Sequence, residues 1–227
     1  MTDSPDIRTA VLFDIDGTLV DSNYLHIEAW HHAFAAVGHP VDAWRIHRSI
    51  GMDSGMLLDA LLGDAAESVG DAAKQKHAEF YENLADRLRP IEGARALLSA
   101  LADRGHGVVL ATSAPESELE TLLEVLDVGP DVDAVTSSED VGTAKPDPDI
   151  IEVALKKACV PADRGILVGD AVWDVKAALR AGVQTIGVRS GGYSAAELRD
   201  AGAIAVYDDV ADLLAHLDVS PIANLRD

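Results

Sequence analysis

The chain has 227 residues, 48% of them hydrophobic, and a single cysteine at position 159, which is ample apolar material for a packed interior and rules out an internal disulfide. Eighteen basic residues stand against thirty-nine acidic ones, a net charge of −21; the resulting field repels nucleic acid and anionic lipid, and any site for an anionic ligand must bring its own local positive charge. The amino terminus lacks the basic start and apolar stretch of a signal peptide, and no segment approaches the roughly 20 apolar residues that span a bilayer, so a cytoplasmic protein is expected, with neither nucleic acid nor membrane as a partner.

The first predicted element is a short strand at Ala10–Phe13. Some seventy residues follow, from Asp21 to about Arg89, with helical periodicity and no convincing strand, too many for one crossover helix. After that the alternation is regular. Helices are predicted at 91–104, 116–126, 147–158, 173–181, 194–201 and 208–217, and strands at 107–112, 133–136, 165–168, 185–188 and 203–206. Strands apolar on both faces between amphipathic helices predict an α/β fold, a doubly wound parallel sheet of Rossmann-like kind with both faces covered. Its functional residues should gather at the carboxyl ends of the strands. The expected division is a core of residues 1–20 and 89–227 interrupted by an all-helical cap over 21–88. Linkers near 20–22 and 86–90 would join the two, and the cap would sit over the sheet edge as a lid.

Four polar signals close successive strand-like runs: Asp14 and Asp16 in VLFDIDGTLVDS, Thr112 and Ser113 in VVLATSA, Lys145 in GTAKPDPD, and Asp170 and Asp174 in VGDAVWDV. A parallel sheet carries all of them to one rim. Four carboxylates there cannot stay ionised together without a cation. An all-oxygen set suits a hard divalent ion, magnesium above all, completed by water and a substrate phosphate. Single members have blander readings, because an acid before a helix can be a cap and a threonine at a strand end can bond to backbone. Capping does not account for Lys145 and Asp170 alongside Asp14 and Asp16. His31 and His32 are adjacent, about 100° apart on a helix, and make poor joint ligands.

The ordered set Asp-x-Asp-Gly-Thr, Ser/Thr, Lys-Pro and Gly-Asp-x-x-x-Asp, with a helical insert after the first motif, resembles the haloacid dehalogenase superfamily over nearly the whole chain, specifically its phosphatase and phosphomutase branch. The resemblance implies that Asp14 is the nucleophile, forming an aspartyl-phosphate. Asp16 would be the general acid that protonates the leaving alcohol and then the base that activates water. Thr112 and Lys145 would bind the phosphoryl group, with Ser113 a further candidate contact. Mg2+ would be held by Asp14, the backbone carbonyl of Asp16 and Asp170, while Asp174 would hold a metal-bound water or orient Lys145. His26 corresponds to residues that face the site in β-phosphoglucomutase-like members, which makes it a candidate for substrate contact or proton shuttling. The loop RSIGMDSGM falls where such caps carry specificity residues, and Arg48 is its only fixed charge.

The activity implied is that of a magnesium-dependent phosphatase acting on a small phosphorylated metabolite, in the manner of phosphoglycolate phosphatase-like relatives. The alternative is a sugar phosphomutase of β-phosphoglucomutase-like kind; such relatives often place an arginine in the specificity loop, and Met52 to Met56 holds none. A haloacid dehalogenase has no use for Asp16, and a non-catalytic binding module has no need of intact Asp14, Asp16, Lys145 and Asp170. A monomer or homodimer is expected, with Trp30, Phe34 and Trp44 lining either an interior or a partner-facing surface.

Overall fold

The computed structural model describes residues 9–112, 114–140 and 145–225. Strands β1 (Ala10–Phe13), β2 (Gly107–Leu110), β3 (Ala134–Val135), β4 (Gly165–Gly169), β5 (Gln184–Val188) and β6 (Ala205–Tyr207) form one parallel sheet in the order β3-β2-β1-β4-β5-β6. Between β1 and β2 lie α1 (Asn23–Ala36), α2 (Ala43–His47), α3 (Ser54–Leu62), α4 (Ala66–Glu82) and α5 (Ala94–Asp103). The later crossovers carry α6 (Glu116–Leu126), α7 (Asp149–Ala158), α8 (Val172–Arg180) and α9 (Ala195–Ala201), and α10 (Val210–Ala215) follows β6. The sheet is built outward from β1 to β3 and then resumes on the other side of β1 with β4, which puts the reversal of strand order between β1 and β4, where ligands bind in sheets of this kind.

Alternation of side chains along β1 feeds two cores. Val11 and Phe13 point to one face and pack with Leu97 of α5, Leu122 of α6 and Leu213 of α10. Ala10 and Leu12 point to the other and pack with Ile150 of α7 and Ala177 of α8. Where boundaries differ from the sequence reading, local chemistry gives the reason. Helix α5 starts at Ala94 rather than 91 because Gly93 turns with φ 82°, where a Cβ would lie 2.7 Å from the Ala211 backbone. Ser194 stands outside α9 as its cap: its hydroxyl accepts from the Glu197 N–H at 3.3 Å while the Glu197 carboxylate accepts from the Ser194 N–H at 2.9 Å. Strand β2 ends at Leu110, and Thr112 follows in extended chain with its carbonyl accepting from the Thr136 hydroxyl at 3.1 Å.

Helices α1 to α4 enclose an apolar cluster of their own, including Trp30, Phe34, Ile46, Leu57 and Leu61. Trp30 and Phe34 are interior residues of it, whereas Trp44 is 68% exposed. The segments entering and leaving these helices run side by side, with Asp21 N–H donating to Arg89 O at 2.9 Å and Ile91 N–H to Leu19 O at 2.8 Å. The helices lean on the strand ends: Asp53 N–H donates to Lys145 O at 2.9 Å, and His47 Nε2 lies 3.1 Å from Gly191 O. Among the described residues no helix is long and apolar enough to cross a membrane.

Leu97 is fully buried against the sheet, so Leu97→Ala should cost about 2–5 kcal/mol, read as a lower urea midpoint; a loss under about 1 kcal/mol would contradict the placement of α5 in the main core.

Candidate active site

Each sequence signal ends at the rim of the sheet beside the reversal of strand order. Asp14 leaves β1 still paired to β4, its N–H donating to Val168 O at 3.0 Å. Gly17 then turns the chain with φ 74°, and a Cβ there would overlap the Asn23 side chain and lie 2.7 Å from Asp170 Oδ2, so the turn and the close approach both call for glycine. Lys145, 2% exposed, bridges two carboxylates: Nζ donates to Asp14 Oδ1 at 2.6 Å and lies 2.8 Å from Asp174 Oδ1. Asp174, one turn into α8, also accepts from the Ala171 N–H at 3.0 Å. Asp170 accepts from the Thr18 hydroxyl at 2.9 Å and from Asn23 Nδ2 at 2.8 Å. The Thr112 hydroxyl accepts from the Ala114 N–H at 3.0 Å, which leaves its own proton to donate into the cavity.

Asp14, Asp170 and Asp174 each offer a carboxylate oxygen within 4.8 Å of the others, and all three are buried. Lys145 pairs with two of these three carboxylates, Asp14 and Asp174. The excess charge registers in their proton affinities. Burial pushes Asp14 up to about 7, with Asp174 and Asp16 adding to the rise and Lys145 opposing it. Burial, then Asp174 and Asp14, push Asp170 well above the usual carboxylate range. Lys145 is driven the other way: burial disfavours its charge, and Asp14 and Asp174 more than offset that, raising its affinity for the proton. Hard oxygen donors with uncompensated negative charge fit a magnesium ion, and Asp14 and Asp170 are the side chains that would face one: Lys145 engages only one Asp14 oxygen, and Asp170 is bonded only by the uncharged Thr18 hydroxyl and Asn23 amide, whereas Asp174 has Lys145 on one oxygen and the Ala171 N–H on the other.

The Asp16 carboxylate lies outside this cluster. Its Oδ1 accepts from the Ser22 hydroxyl at 2.6 Å and faces His26 Nε2 at 3.4 Å. Burial raises the Asp16 pKa, but the bonds from His26 and Ser22 outweigh it and hold the carboxyl below the usual range. The same contact raises His26 against the lowering effect of its burial. Left to these residues alone, proton affinity is raised at the nucleophile candidate and lowered at the acid candidate, the reverse of what phosphoryl transfer needs. A divalent cation beside Asp14 would offset the first half of that inversion.

The rim opens into a cavity of about 390 Å³ roofed by α1, the loop from Ile50 to Ser54, and α4. The loop RSIGMDSGM therefore reaches the cavity, but Arg48 does not. It pairs with Glu197 at 2.5 Å and stacks over Tyr193 at 4.4 Å, holding α2 to the core. Ser113 lies outside the described residues. His31 and His32 are exposed. The sequence reading did not single out Asn23, His77, Lys74 or Glu118, all of which line the cavity. The sequence signal for His77 is its spacing with Tyr81, four apart on one helix face, as His26 is with Trp30.

This geometry defines a doubly wound α/β fold whose carboxylate cluster sits at the carboxyl end of a parallel sheet beneath helical elements. The family model described as haloacid dehalogenase-like hydrolase matches residues 11–188, and the chain belongs to that family. It is 35% identical over 214 residues to a phosphoglycolate phosphatase of Rhodospirillum rubrum, covering 90% of this chain and 88% of the relative. It is 29% identical over 202 residues to a phosphorylated carbohydrates phosphatase of Thermotoga maritima, covering 87% and 93%. The crystal structure of a hydrolase from Pseudomonas syringae superposes with a TM-score of 0.88 at 38% identity, over 93% of this chain and 99% of the other.

His77 is buried, and burial followed by His26 pushes it down to about 2. It stays neutral in the folded protein while the unfolded chain takes up a proton below about 6.5, so stability is lost as pH falls through 6.5. Between pH 8 and pH 5.5, wild type should lose about 1 kcal/mol more than His77→Gln in urea unfolding; equal losses would contradict a neutral buried ring.

Proposed function

We propose that the protein is a magnesium-dependent phosphatase that hydrolyses a small phosphate monoester through an aspartyl-phosphate on Asp14, with residues 21–88 acting as its cap. The observation that supports this most strongly is the meeting of Asp14, Asp170, Asp174 and Lys145 around one buried point at the sheet's reversal. Phosphatase names among its relatives point the same way.

In this reading the Thr112 hydroxyl and the Lys145 ammonium hold the phosphoryl oxygens, and Asp14 Oδ attacks phosphorus as the ester bond breaks. A bound Mg2+, held by Asp14, Asp170 and the Asp16 backbone, supplies electrostatic stabilisation and keeps the nucleophile ionised. The incoming phosphate dianion raises the proton affinity of Asp16, which lets it protonate the departing alkoxide. Once ionised, Asp16 takes a proton from the water that cleaves the acyl phosphate, and Asp14 is regenerated. Asp174 keeps Lys145 in place. The helices over the rim exclude bulk water and leave the specificity loop, without an arginine at the substrate, to shape the leaving-group end.

Asp14→Asn should reduce hydrolysis of 4-nitrophenyl phosphate by at least about 10³-fold with an unchanged circular dichroism spectrum; retained turnover would remove Asp14 as nucleophile. EDTA should abolish activity and added Mg2+ restore it, whereas an enzyme indifferent to chelation would contradict the metal site. With β-glucose 1-phosphate followed by phosphorus NMR, free phosphate is the expected product, and glucose 6-phosphate would instead identify a phosphomutase.

A further inference from the structure

Asp16 is held by one oxygen only. Oδ1 takes the Ser22 hydroxyl and faces His26; Oδ2 has no partner among the described residues, and Asp16 lines the cavity. The free oxygen can meet a leaving group only if the carboxyl does not rotate, which depends on what fixes His26. Nδ1 of that ring lies 3.1 Å from His77 Nε2. Tyr81 stacks on His26 with centroids 3.9 Å apart and planes 8° from parallel, and Trp30 stacks on His77 at 4.2 Å and 20°. Two pairs of side chains four residues apart, one on α1 and one on α4, thus interleave into a column whose polar thread runs from His77 through His26 to Asp16.

We propose that His77 is a positioning residue, whose Nε2 contact locks the His26 ring and thereby aims the free Asp16 oxygen at the departing alkoxide. The inference rests on Asp16 acting as the acid and base of a phosphatase. An imidazole is not needed for packing here, since a phenyl ring stacks equally well on Trp30 and has no polar atoms to bury. What the imidazole adds is a nitrogen that can either donate to His26 Nδ1 or accept from it, according to which of its own nitrogens carries the hydrogen. His26 can therefore keep its Nε2–H toward Asp16 whether it is neutral or charged. His77 itself stays uncharged, because burial lowers its proton affinity so far, and it adds no repulsion of its own to a charged His26.

The test separates the nitrogen from the ring. His77→Phe keeps the stack and removes the hydrogen bond; His77→Gln keeps an N–H at similar reach and removes the stack. Each is assayed with Mg2+ by kcat/KM, which reports steps up to loss of the first alcohol, on a series of aryl phosphates from 4-nitrophenyl to phenyl phosphate, whose leaving groups span pKa values of roughly 7 to 10. A weakened acid matters most for the poorest leaving group. His77→Phe should lose roughly threefold on 4-nitrophenyl phosphate but roughly thirtyfold on phenyl phosphate, and His77→Gln should recover most of the second loss. In a His26→Phe background, His77→Phe should cost nothing further. Equal losses across the series, or losses that add to those of His26→Phe, would reduce His77 to a packing residue and overturn the proposal. A wild-type enzyme inert toward the whole series overturns the phosphatase reading itself, a result distinct from an active enzyme indifferent to His77.

Discussion

The structure turns on an electrostatic imbalance: three buried carboxylates, Asp14, Asp170 and Asp174, lie together, and the one ammonium beside them, Lys145, pairs with only two. Burial makes each charge costly, and one lysine cannot offset three. The protein tolerates the deficit because the carboxylates are fixed by other bonds, Asp170 by Thr18 and Asn23, and Asp174 by the Ala171 N–H. The deficit has a chemical use. In the proposed mechanism it would draw a divalent cation to the point where the nucleophile must be ionised, and it contributes to the rise of Asp14 to a pKa of about 7, of which burial is the largest cause. An acidic protein thereby concentrates positive charge at one place while its surface remains negative.

The helices between β1 and β2 complete the site as well as covering it. Ser22 and His26 hold Asp16, and Asn23 holds Asp170, so the first turns of α1 clasp two carboxylates that belong to the strand ends. Arg48, Tyr193 and Glu197 fasten α2 to the core some way from the chemistry. Seating of these helices and geometry of the Asp16 carboxylate are therefore parts of one arrangement, and a displacement of α1 would disturb both.

Much of this was legible in the sequence. The strand at Ala10–Phe13, the four polar signals at strand ends and the long helical interruption are short-range patterns, and a parallel sheet needs only its topology to bring them together. The architecture and the convergence of Asp14, Lys145, Asp170 and Asp174 followed from that. The column of His26, Tyr81, His77 and Trp30 was not legible, because the four-residue spacings show a face on each helix but not which helices pair across some fifty residues. The pairing of Arg48 was not legible for a similar reason: its partner, Glu197, is 149 residues away in sequence. The Asp16 carboxylate, readable as a fourth ligand from its spacing alone, is turned from the cluster by Ser22, a local bond that the pattern of aspartates did not reveal.

The claim tested most directly by a single measurement is that the cluster is a site short of one divalent cation. Titration calorimetry of Mg2+ into the substrate-free protein should show one site in wild type, and none, or one weakened by about 10-fold or more, in Asp170→Asn. Binding of equal strength in the two proteins, or no binding to the wild type, would contradict the account.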